Sequence, residues 1–192
     1  MGTPAPASNP ARDLLTRSWA KKVAQKLQSL LPNKPNEADF RHAIEPLFDG
    51  FCVEAGIPPL AHAEFSLASG TADAVFSRFT IAYKRPGTLS ANFDLATRSA
   101  VDQLHGYIRD LAVKEKRKDQ RLAGVVFDGC YIIFCRYLAG KLTDSGPFAV
   151  NEQSLGRMLG WLAELSMQAH ELAKTPASDK PQAVGWRKSK RR

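Results

Sequence analysis

The sequence predicts an α/β fold, a mixed central sheet flanked by helices. Three observations carry this: apolar residues recur at helical spacing in four segments, the period changes to two between them, and the segments fall in the order ααβββαββα. The chain of 192 residues is long enough for one domain with a sizeable core. Residues 1–11 are expected to be a disordered lead-in, 12–174 a single domain, and 175–192 a basic disordered tail.

The first helix is expected to begin near Asp13. Leu14, Leu15, Trp19, Val23, Leu27, Leu30 and Leu31 repeat at helical spacing, and Pro32-Asn-Lys-Pro35 ends it. A second helix over 36–55 places Phe40, Ile44, Leu47, Phe48 and Phe51 on one side, with a kink or restart expected at Pro46. After Gly56-Ile-Pro-Pro the period becomes two, giving strands at 64–67, 71–76 and 79–84. Asn92 is expected to cap a long helix carrying Phe93, Ala96, Ala100, Leu104, Tyr107, Ile108 and Leu111. Two apolar strands around a tight Asp128-Gly129 turn follow, and a last helix runs over about 152–173.

Composition narrows the function classes. Hydrophobic residues at 44% and charged residues at 24% are globular values. No run approaches the ~18 apolar residues of a membrane span, and the start has no leader pattern, so an intracellular protein without a membrane partner is expected. Three cysteines without CxxC spacing argue against a disulfide framework or a zinc knuckle. The 27 Lys+Arg against 19 Asp+Glu give a formal +8, which favours an anionic partner such as nucleic acid. Five basic residues fall in the last six positions, and Lys114-Glu-Lys-Arg-Lys lies where a helix is expected to end. That second cluster also reads as a solvated terminus complementing the helix dipole.

The informative stretch is Gly70-Thr-Ala-Asp-Ala-Val-Phe-Ser-Arg-Phe-Thr-Ile-Ala-Tyr-Lys-Arg-Pro-Gly87. A hairpin across Ser77-Arg78 pairs Phe76 with Phe79, Val75 with Thr80, Ala74 with Ile81, and Asp73 with Ala82. Lys84 then shares a face with Ala82, while Phe79, Ile81 and Tyr83 take the buried side. An acid and a lysine converge on the face expected to be polar.

An acid in one strand followed by carboxylate-x-Lys in the next resembles the PD-(D/E)xK nuclease superfamily, whose fold is restriction-endonuclease-like. Asp73 matches the first acid, Lys84 the lysine, and Arg85-Pro-Gly87 the turn often found after it. Gln103-Leu-His-Gly-Tyr107 matches the QxxxY element of RecB-like members, and 124–134 resembles the strand pair that follows in restriction-enzyme relatives. The resemblance spans about residues 36–142. It implies Mg²⁺-dependent hydrolysis of DNA phosphodiesters, with Mn²⁺ as a substitute, by a module often joined to translocase or methyltransferase domains.

Ala82 departs from the pattern, because it stands where the metal-binding carboxylate belongs, and a methyl group binds no metal. The chain as it stands is therefore expected to be inactive. A deliberate Glu-to-Ala replacement is favoured over natural decay because Asp73, Lys84, Gln103 and Tyr107 are all present. The alternative is a pseudonuclease serving as a DNA-binding or assembly module.

Glu45 is either the acid that the family often carries on an early helix, a second metal ligand beside Asp73, or an ordinary exposed glutamate. Glu64 is a further candidate, read mainly as solvent-facing. Gln103 and Tyr107 share a helix face at i, i+4 and are candidates for reading a phosphate or a base, against a reading as core-edge aromatic and surface polar residue. Arg85 and Arg98 are candidate phosphate contacts. The histidines show no metal spacing, and Cys130 and Cys135 are expected to be packed core thiols.

Overall fold

The computed structural model describes residues 10–57, 61–67, 70–76, 78–114, 122–138 and 141–174, and their side chains except at 61–76, 114, 138 and 166–174. Of the expected disordered lead-in 1–11, residues 1–9 lie outside the described residues, as do the basic tail 175–192 and residues 115–118 of the other basic cluster. Helices α1 (Pro10–Leu30) and α2 (Glu37–Glu54) lead into strands β1 (Ala61–Leu67), β2 (Gly70–Phe76) and β3 (Phe79–Tyr83). Helix α3 (Leu95–Lys114) crosses to β4 (Ala123–Phe127), followed by β5 (Tyr131–Leu138), β6 (Lys141–Ala149) and α4 (Glu152–Lys174).

The six strands lie in sequence order, antiparallel except for the parallel β3–β4 pair. That parallel pair needs a crossover, which α3 supplies. Period-two alternation divides the central strands between two apolar layers. Phe79, Ile81, Tyr83, Val125, Phe127, Ile132 and Phe134 pack on one face with buried residues of α1, α2 and α4. On the other, Ala82, Val126, Ile133 and Cys135 pack with Leu104, Tyr107, Ile108 and Leu111 of α3. The α/β class and the mixed sheet flanked by helices are as the periodicity predicts. Gly124 permits the close approach of both β3 and α3, since a Cβ there would lie 2.6 Å from the Thr80 carbonyl oxygen and 3.0 Å from Leu104 Cδ1.

Four local expectations are corrected. The first helix begins at Pro10, three residues early, because proline's fixed φ suits a first helical turn. Pro46 does not interrupt α2: it and His42, whose carbonyl loses its partner, are both exposed, so water can replace the missing bond while Ile44 and Phe48 anchor the helix. The sixth strand was not anticipated, because Asp144-Ser-Gly-Pro147 reads as a breaker; β6 is an edge strand with a register irregularity opposite Ile132/Phe134, where proline is tolerated. Asp94, not Asn92, caps α3: its Oδ1 accepts the Thr97 N–H at 2.9 Å, and Phe93 lies before the helix at φ +52°.

Hydrogen bonds from Thr97 hold the Asp94 carboxyl below its ordinary value. A lowered folded pKa makes a stabilising contribution that is present above about pH 4 and lost as the pH falls through the folded value. Asp94→Ala is therefore expected to be less stable than the parent at pH 7 in urea melts, with the difference shrinking steadily below pH 4.

Candidate functional site

The β2–β3 hairpin has the register that alternation predicts: Phe76 opposite Phe79, Val75 opposite Thr80, Ala74 opposite Ile81. Continued by one step, this register sets Asp73 opposite Ala82. The β1–β2 register pairs Ala63 with Ala74 and Phe65 with Ala72, which sets Glu64 opposite Asp73 from the other side. Glu64, Asp73 and Ala82 thus form one row across three strands, continued by Val126 through the β3–β4 register. Neighbours in such a row are ~5 Å apart at Cα. The side chains of Glu64 and Asp73 are outside the described set.

The face carrying Ala82 was expected to be polar, and this is corrected. Ala82 is fully buried, packed in the apolar layer beneath α3. Small Thr80 and Ala82 leave room for the helix, so the alternation marks a face covered by α3 instead of one open to water. Lys84, half-buried, lies just beyond the end of β3, where its N–H donates to the Phe127 carbonyl at 2.9 Å. Ala82 contributes no carboxylate from β3 to the Mg²⁺ site that the resemblance implies. Opposite Asp73 stands a methyl group, which offers no oxygen. Among the described residues no three His, Cys, Asp or Glu side chains gather into a metal-holding group.

The loop after Lys84 is held by two carboxylates. Asp128, at the end of β4, is completely buried. Its Oδ1 accepts the N–H groups of Cys130 and Tyr131 at 2.8 and 2.7 Å, closing its own turn. Its Oδ2 accepts those of Gly87 and Leu89 at 3.2 and 2.9 Å, tying the Arg85–Leu89 loop to that turn. Gly129 takes φ +81° there, and a Cβ would meet the Phe40 ring at 2.8 Å. Burial pushes the Asp128 carboxyl above its ordinary range, and the four N–H bonds oppose that shift. The second carboxylate is Glu37, in the first turn of α2, which accepts the Arg85 N–H at 3.2 Å. Beneath the loop, Phe40 packs against Tyr83 and Phe127 with ring centroids 6.1 and 5.4 Å apart.

The remaining sequence candidates separate. Glu45 lies about 12 Å further along α2 than Glu37, at ~1.5 Å per residue, and pairs with Arg41 one turn back at 3.8 Å. Gln103 donates to the Tyr107 hydroxyl, while the Tyr107 ring is buried in the layer that contains Ala82. The exposed Arg98 donates from Nε to the Phe93 carbonyl at 3.2 Å. Exposed Arg85 lines a groove beside the Lys84 loop. Cys135 is a buried core thiol as expected, but Cys130 is only half-buried, in the turn before β5.

Asp128 and Glu37 are the residues that the sequence does not single out. Asp-Gly signals a turn, and an acid in a first helical turn signals dipole complementation. Neither pattern announces a carboxylate that reaches across the fold to hold the lysine loop.

No protein-family model and no curated protein matches the chain. A solved structure described as a cryoEM structure of a DrdV–DNA complex is similar at 14% identity and TM-score 0.48, over 84% of this chain and 15% of that one.

Proposed function

We propose that the chain is a nuclease-fold module that binds DNA at the Lys84 end of its sheet and does not cut it, because Ala82 replaces a metal-binding carboxylate. The observation that carries this reading is the hairpin register, with Asp73 opposite Ala82 and Lys84 two residues beyond. It is the placement that the PD-(D/E)xK resemblance implies for an acid pair and its lysine, with a single member replaced. The formal charge of +8 supports it further.

The chain is expected to bind a 30-bp duplex in fluorescence anisotropy, with log affinity falling linearly against log salt. Four phosphate contacts weaken binding about 100-fold between 50 and 200 mM salt. The duplex should stay intact with Mg²⁺ or Mn²⁺. Absence of binding at low salt contradicts the reading. One specific observation favours a variant of it: Glu64 also stands opposite Asp73. Cleavage by the unaltered chain that Glu64→Gln abolishes would move the acid pair to β1–β2.

A further inference from the structure

The Lys84 loop forms one wall of a groove of about 260 Å³ whose other wall is the turn after α1. Lys34 and Pro35 line it from the turn; Arg85, Pro86 and Gly87 line it from the loop, with Cys130 alongside. Lys34 and Arg85, both exposed, bring a cation to each wall. The backbone around them is built for this display. Lys34 closes the short 3₁₀ turn Leu31–Asn33 at φ 49°, its N–H bonded to the Leu31 carbonyl at 3.0 Å. That left-handed conformation suits glycine or asparagine, and a lysine there goes against local preference. Across the groove, Glu37 and Asp128 spend their carboxylates on the Arg85, Gly87 and Leu89 amides, which fixes the loop while the Arg85 side chain stays exposed.

We propose that this groove is a phosphodiester-binding site, in which Lys34 and Arg85 contact the backbone of a DNA strand passing the Lys84 end of the sheet. The inference rests on the DNA-binding reading above and adds its location. It places the strand against the layer of α1 and α2, on the side of the sheet away from α3. Each cation neutralises one phosphate, and a groove open at the surface accepts a continuous backbone regardless of base sequence.

The test compares the parent chain with Lys34→Gly, Arg85→Ala, the double variant, and Lys141→Ala as a control at the opposite end of the sheet. Binding of a 30-bp duplex is measured by anisotropy across salt concentrations. Each groove variant is expected to lower the salt slope by about 0.9 and the affinity at 0.1 M salt about eightfold, and the double variant by about 1.8 and about 60-fold. Lys141→Ala should leave both unchanged. Lys34→Gly relieves the positive φ, so its urea midpoint should equal or exceed the parent's, separating lost contact from lost fold. Duplex should also slow maleimide labelling of Cys130, the half-buried member of the three cysteines. Unchanged slopes in the groove variants while the parent binds DNA overturn the groove alone, as does an equal fall in Lys141→Ala, which would mark bulk charge. No binding by the parent overturns the DNA reading and the groove with it.

Discussion

Asp128→Ala is expected to lower folding stability by about 3 kcal/mol. The wild-type carboxylate accepts four backbone N–H groups while fully buried. Removing it strands donors at ~1–3 kcal/mol each, a sum reduced because a buried charge is removed with them. Asp128→Asn is nearly isosteric, yet its amide group must replace one oxygen and face a pair of N–H donors. It should cost about 2 kcal/mol. The pH dependence separates the two effects. Because the folded pKa is raised, the folded state takes up a proton before the unfolded state does, so this group's contribution grows as the pH falls toward its ordinary value. Asp128→Asn, which does not titrate, should lose that dependence. Urea denaturation between pH 4 and 7 measures both, and a loss below 1 kcal/mol for Asp128→Ala would contradict the account of the loop.

The second large effect is expected from Ala82→Glu. In the apolar layer under α3, beside Val126 and Tyr107, a new carboxylate is buried away from water. It should cost about 2–4 kcal/mol in metal-free buffer. Opposite Asp73, however, it completes an acid pair, and a divalent cation that binds the folded state alone stabilises it by mass action. Mn²⁺ should therefore raise the urea midpoint of Ala82→Glu and leave that of the parent and of Ala82→Gln unchanged. Equal behaviour of the three proteins would show that the row across β2 and β3 is not a cation site even when restored.

Much of this arrangement is legible in the sequence because a two-residue connection and strict alternation leave the β2–β3 hairpin one register. Pairing Ala74 with Ile81 fixes Asp73 against Ala82 without tertiary information. Helical spacing likewise gives all four helices. What lies on each face of the sheet is not local information. Thr80-x-Ala82-x-Lys84 reads as a polar face in isolation, and only the path of the crossover helix shows that small residues there admit α3. The loop supports are hidden for a related reason: Asp128 and Leu89 are distant in sequence, and their bond exists because parallel β3 and β4 end side by side. Strand β6 is not legible in the sequence because its Gly-Pro is permitted by an edge position that no local pattern reveals. The helix acid near the lysine loop is Glu37, two turns before the Glu45 that the apolar stripe draws attention to.

The most direct measurement is nicking of supercoiled plasmid in Mn²⁺ or Mg²⁺ by the parent chain, Ala82→Glu, and Ala82→Glu with Lys84→Ala. Metal-dependent nicking is expected from Ala82→Glu only, and it is lost again when Lys84 is removed. DNA binding by all three without nicking by any would contradict a nuclease centre disabled at position 82.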